Sequence, residues 1–314
     1  MSPRMSALRH LGPGVAGLFS LLVFLSFPLL PLLGFLVALL APLPLVHLTS
    51  TGRPAILAWG WVTVVLLGAA LIVHDRWLLA IAMGYLLLAA WPAQTVESWL
   101  RREWKPGRWA AVVAGGGLVL ATGFMVGLFF QAAPYDGLAA VLTRTAGEAQ
   151  QIMQALGPGG SSGEELVARS IGITAYLAPS LAALYLLWGA MWLRPRLAAL
   201  GLPRGGEHFD TFASEEWLPV GFIVGGLGWV FAGGSAKWFA ANLLVTVLGL
   251  YFVHGLAIIH FYLGRRLSGN RWVRLGVMLF ALQLPVALVL SLGGLVDAFF
   301  PLRRGGSDDG GTPE

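Results

Sequence analysis

The sequence predicts an all-α fold, a polytopic helical integral membrane protein with about eight to nine transmembrane helices. Three observations predict it. First, 57% of the 314 residues are hydrophobic and only 11% are charged, whereas soluble domains are near a quarter charged. Second, the charge is segregated. No Asp, Glu, Lys or Arg occurs from His10 to Gly52, Pro54 to His74, Trp77 to Val96, Trp109 to Tyr135, Ser170 to Leu193, Trp217 to Ala236, Trp238 to Gly264 or Leu275 to Val296. Each stretch matches or exceeds the ~20 residues that cross a ~30 Å hydrocarbon core. Third, Trp77, Trp109, Trp192, Trp217, Trp238 and Trp272 sit at or near the ends of these stretches, where amphipathic rings prefer the headgroup layer. Lipid offers the backbone no hydrogen bonds, so the crossings are helices.

The elements follow in order. Gly14 to Val46 is long enough for two helices, with a break expected near Pro28 and Pro31, because proline removes a helix hydrogen bond and clashes with the preceding turn. A third helix is expected from Pro54 to Val73 and a fourth from Trp77 to about Pro92. The connection ESWLRREWKPGRW follows, and the fifth helix covers Ala110 to Phe130. Residues 131–169 form a polar segment whose Leu138, Val141, Leu142, Ile152, Met153 and Leu156 suggest an amphipathic surface helix; a solvated linker is the alternative. Helices at Ile171 to Leu193, Trp217 to Phe231, Trp238 to Leu263 and Leu275 to Ala298 complete the chain. The layout is a membrane half at 1–130, the outer segment 131–169, a second membrane half at 170–302, and a tail at 303–314 of disordered composition.

Lys and Arg concentrate at the N-terminus, Arg101 to Arg108, Arg194 to Arg204 and Arg265 to Arg274. Counting helices puts all four on one side, which the positive-inside rule makes cytoplasmic. The expected location is the bacterial cytoplasmic membrane, multi-pass, with the N-terminus cytoplasmic and 131–169 outside. Arg303 and Arg304 would then lie outside, against the rule, and the side of the C-terminus stays open. Arg4 and Arg9 precede an apolar run without a small-residue cleavage site, which reads as a retained first helix.

The net charge of +5 is accounted for by topology, with no aromatic–basic groove that would bind nucleic acid. The chain has no cysteine, which excludes disulfides, thiolate metal sites and cysteine nucleophiles. HExxH and Walker motifs are absent, so no metal, cofactor or intrinsic ATPase is expected. Ser235 of GGSAK lies about 30 Å along a straight helix from His254, which rules out a dyad. The expectation is no enzyme activity.

The candidate site lies on NLLVTVLGLYFVHGLAIIHFYL. With Thr246 at zero and about 100° per residue, Asn242 and His260 fall near −40°, Gly249 near −60° and His254 near +80°. A polar stripe on a membrane helix faces protein or water rather than lipid. The candidate ligand-binding residues are Asn242, Thr246, Gly249, His254 and, from the next helix, Gln283. Gln283 is the expected neighbour of His254 in preference to Asp297, because it is mid-span. The alternative is that Asn242 and His254 are hydrogen-bonding glue between helices. In GEHFDTFASEEWLP, Ser214 reads as a helix cap with Glu215 and Glu216 complementing the helix dipole. The GxxxG pairs Gly123/Gly127 and Gly221/Gly225 permit close helix approach.

FDTFASEEWLP before a Gly-rich helix, the NLLVTVLGLYFVHGLAIIHFYL helix with His254-Gly255, the closing LGGLVDAFFPLRR and, more loosely, LPLVHLTSTGRPA resemble the YybS-like family of predicted bacterial membrane proteins. The resemblance implies a membrane protein of unknown function. Its layout also looks like the substrate-binding membrane components of energy-coupling-factor vitamin transporters, which borrow an ATPase. The functional expectation is a small-molecule transport or substrate-binding membrane component, with the lipid bilayer, a solute and a separate energising protein as partners. The alternative is a structural or assembly protein of the cell envelope.

Overall fold

The computed structural model describes residues 12–29, 31–102, 104–129, 136–144, 162–197, 209, 212–266, 276–277 and 279–300. Among these residues there is no strand; the chain is an all-α membrane fold. Five helical segments are long and apolar enough to cross a membrane: Ile56–Val73, Arg76–Arg102, Pro106–Leu128, Ala168–Leu193 and Gly234–Tyr262. Four shorter apolar ones lie at Pro13–Phe27, Leu36–Thr49, Leu218–Phe231 and Leu284–Phe299.

The first apolar run breaks where its prolines dictate. It forms α1 (Pro13–Leu29), α2 (Pro31–Ala38) and α3 (Pro42–Ser50). Pro31 and Pro42 open their helices, the position where a missing N–H costs nothing and the fixed φ is already helical. α2 folds back on α1 so closely that a Cβ at Gly34 would run into the Ser26 carbonyl. The run therefore yields three helical pieces where two were expected.

α4 (Ile56–Val73) ends at His74, whose φ of 55° puts it in the left-handed region while its N–H reaches the Ala70 carbonyl. Asp75 then caps α5 (Arg76–Tyr85), accepting from the Trp77 N–H at 2.8 Å. This helix does not stop at Pro92. A π-helical segment, Leu86–Ala90, leads directly into α6 (Trp91–Arg102). The widened turn accommodates the missing proline N–H and its ring, as π-bulges do inside α-helices. The expected connection at 97–102 is thus helix.

α7 is Pro106–Leu128, and residues 136–144, here α8, are helical. Leu138, Val141 and Leu142 lie in this helix; Ile152, Met153 and Leu156 lie outside the described residues. α9 (Ser162–Leu197) starts well before the expected Ile171. α10 (Leu218–Phe231), α11 (Gly234–Arg266) and α12 (Leu284–Phe299) follow.

The chain forms two compact units, residues 1–104 with 112–204, and 105–111 with 205–314. In the first, α1 meets α4 at Gly17, where a Cβ would lie 2.6 Å from the Ala58 carbonyl oxygen. Ser20 donates to the Ala41 carbonyl and accepts from the Tyr85 hydroxyl. Glu97, 5% exposed, accepts from the Ala55 N–H at the start of α4 and pairs with Arg101 at 2.9 Å. A carboxylate is therefore buried where a helix N-terminus presents unsatisfied donors. The second unit is built on α11, which packs against α10 along one stretch and α12 along another.

Candidate functional site

The site is positioned by glycines. Small residues drive membrane-helix packing by letting backbones approach. On α10, a Cβ at Gly221 would meet Val247 at 3.2 Å, one at Gly225 the Leu244 backbone at 3.0 Å, and one at Gly228 the Ala240 Cβ at 2.7 Å. The Gly221/Gly225 pair is thus a real contact ridge. Gly123 and Gly127 have open space around a would-be Cβ. At the crossing of α11 and α12, a Cβ at Gly255 would run into the Leu290 carbonyl and one at Gly294 into the Tyr251 carbonyl.

That crossing brings two ionisable side chains together. His254 precedes Gly255, and Asp297 lies one turn beyond Gly294. His254 Nε2 is 2.7 Å from Asp297 Oδ2, and both side chains are buried. The other ring nitrogen, Nδ1, faces the stretch that enters α10: Ser214 Oγ is 3.0 Å away and the Ser214 N–H donates at 3.4 Å. Phe212, also buried, lies edge-on to the imidazole at 6.3 Å between centroids. The result is a hydroxyl–imidazole–carboxylate chain drawn from segments 40 and 43 residues apart.

An amide N–H can only donate, and an ionised carboxylate can only accept. The Ser214 N–H therefore assigns the lone pair to Nδ1, and Asp297 assigns the proton to Nε2. Ser214 does not cap α10. The cap is Trp217, which makes no side-chain capping bond.

The expected site residues separate. Asn242 and Thr246 are 1% and 2% exposed, and each bonds to its own helix: Asn242 Nδ2 to the Trp238 carbonyl, Thr246 Oγ1 to the Asn242 carbonyl. They sit about 80–120° round α11 from His254. Gly249 is half-buried on the same helix. Gln283 does not pair with His254. It is exposed, in the break that precedes α12, with its backbone in the N-cap position. The expectation of a mid-span Gln283 is corrected, and Asp297 takes its place. His260 lies edge-on to Phe209 at 5.6 Å, and its Nδ1, like the hydroxyl of the fully buried Tyr251, has no hydrogen-bond partner among the described residues.

Among the described residues no three His, Cys, Asp or Glu side chains are grouped to hold a metal ion. In the first unit, a crevice of about 10 Å³ lined by Leu39, Pro42, Leu88, Pro92, Tyr185 and Leu193 has room for about one water. Its lining is almost wholly apolar.

Sequence reasoning missed Ser214 as a partner of His254, and Glu97 altogether. Asp297 carried a signal: it ends a charge-free run and follows LGGLV, whose second glycine, Gly294, sets the crossing.

A family model described as "Predicted membrane protein (DUF2232)" matches residues 17–298, in agreement with the YybS-like resemblance. No curated protein and no solved structure matches.

Proposed function

Since the chain belongs to the DUF2232 family of predicted membrane proteins, we propose that it is a small-molecule transport or substrate-binding membrane component whose polar centre is the His254–Asp297 pair. The observation that carries this reading is the pair itself, 2.7 Å apart with side chains 2% and 4% exposed. Ionisable groups within a membrane are costly, and they mark solute or proton paths; packing alone needs none. The solute would approach from the Ser214 side, where residues 213–217 are half-buried or exposed. Asn242, Thr246 and Gly249 would shape the adjoining wall, and Gln283 would have no part. Energy would come from an ion gradient or from a separate protein, since the sequence has no Walker loop. The full proposal places about nine crossings in a bacterial cytoplasmic membrane, with the N-terminus cytoplasmic and no covalent chemistry required for transport itself.

Native mass spectrometry of the protein purified in mild detergent tests it. A retained small molecule that Asp297→Asn releases supports the reading; lipid alone in both proteins overturns it. A second reading, a structural or assembly protein of the envelope, is favoured by one observation: Asn242 and Thr246 are buried and each bonds to its own helix. Crosslinking in intact cells that recovers one stoichiometric envelope protein would favour it.

A further inference from the structure

We propose that Ser214, His254 and Asp297 form an acyl-transfer site, with Ser214 the nucleophile, acting on an uncharged, lipid-soluble carboxylic ester. The inference goes beyond the transport reading and gives the same His254–Asp297 pair a chemical role that does not require a solute to be carried. It rests on four features of the second unit.

The geometry is that of an activated nucleophile: hydroxyl to imidazole at 3.0 Å and imidazole to carboxylate at 2.7 Å, within the reach such a relay needs. The tautomer is also correct, because the Ser214 N–H at 3.4 Å holds the Nδ1 lone pair toward the hydroxyl. The base and its orienter are held by backbone contact, since Gly255 and Gly294 leave no room for a side chain between α11 and α12. Finally, the amides of Glu215 and Glu216, which follow Ser214, make no backbone hydrogen bond among the described residues. In the proposed reaction they would donate to the developing oxyanion. Ser214 is half-buried beside exposed Glu216 and Trp217, so the hydroxyl is reachable from one side. His254 is about 12 Å along α11 from Tyr262, inside the span that is long and apolar enough to cross a membrane, so an uncharged ester would reach it through the hydrocarbon. Glu215 and Glu216 disfavour an anionic substrate.

The reaction balances with water as co-reactant. The Ser214 proton moves to His254 Nδ1 as Oγ bonds to the ester carbonyl carbon. The tetrahedral oxyanion collapses, the carbon–oxygen bond to the alcohol breaks, and Nδ1 returns the proton to the departing alcohol. Water then attacks the acyl-serine, giving one proton to Nδ1. Cleavage of the Oγ–carbon bond releases the acid, and Nδ1 reprotonates Oγ. Asp297 stays ionised and orients the ring; it is a positioning residue.

The test is phosphonylation of the full-length protein in detergent micelles by a fluorophosphonate, which transfers phosphorus to an activated serine as fluoride leaves. Peptide mapping should place the label on Ser214. Ser214→Ala should abolish it, and His254→Gln should slow it about 100-fold or more. Asp297→Asn should slow it, with partial rescue in Asp297→Glu. Because the natural chain has no cysteine, Ser214→Cys carries the sole thiol. Iodoacetamide should alkylate it at least tenfold faster than the thiol of Glu216→Cys, and His254→Gln should remove the difference. Labelling of Ser214 only after heat denaturation, or a Ser214→Cys thiol no faster than that of Glu216→Cys, overturns the proposal.

Discussion

Gly255 and Gly294 decide whether the site exists. With no solvent to squeeze membrane helices together, their association rests on van der Waals contact, and here that contact is backbone on backbone. Gly255→Ala or Gly294→Ala must push α12 away, so each should cost about 1–3 kcal/mol, the usual range for overpacking. Gly226, with open space around a would-be Cβ, is the control; Gly226→Ala should stay within about 0.5 kcal/mol. Thermal unfolding in one detergent measures all three. The pair that the crossing positions has its own test. Removing one partner leaves the other buried without its ion-pair contact, a cost that removing both avoids in part. A double-mutant cycle on His254→Ala and Asp297→Ala should therefore show coupling of about 0.5–3 kcal/mol. Additive effects would mean that the 2.7 Å contact contributes no net energy.

At the scale of elements, Glu97 does for the first unit what the glycine crossing does for the second. Its carboxylate accepts from the Ala55 N–H and pairs with Arg101, tying α6 to the start of α4. Ala55 is fully buried, so Glu97→Ala would strand a donor, at about 1–3 kcal/mol. Glu97→Gln keeps an acceptor and loses only the ion pair, whose Arg101 end is 61% exposed; it should cost about 1 kcal/mol or less. The same thermal measurement ranks the two. The existence of the helices was legible in the sequence, because segregated charge is imposed by lipid. Their continuity was not. Pro92 reads as a stop unless a π segment absorbs it, and that depends on the neighbours of Leu86–Ala90. Residues in this chain are apolar toward both lipid and core, so periodicity did not reveal which face of α11 meets α12. His254 was visible as an anomaly on an apolar helix. Its partners were not, since they lie 40 and 43 residues away and depend on where two backbones cross.

For the whole molecule, the decisive quantity is the apolar surface it leaves uncovered. Leu71 and Ile72 of α4, Phe231 of α10 and Leu284 of α12 are 73%, 81%, 80% and 75% exposed. On a soluble protein such exposed apolar side chains would favour aggregation; against acyl chains they are in their preferred solvent. The orientation proposed above rests on charge. Arg101, Arg102, Lys105 and Arg108 are all exposed around the start of α7, a basic cluster that favours the cytoplasm. α7 has 23 residues, about 34 Å of helix, enough to carry the chain across before Asp136. A thiol probe at Gly107 would be misleading, because a side chain there would strike the Ala213 carbonyl. Lys105 and Asp136 are exposed and suit the purpose. In intact cells an impermeant maleimide should label Asp136→Cys and leave Lys105→Cys untouched until the membrane is permeabilised. The opposite pattern would invert the orientation and put the basic cluster outside. Equal labelling of both positions before permeabilisation would mean that α7 does not cross, and the arrangement of charge along this chain would then need a cause other than lipid.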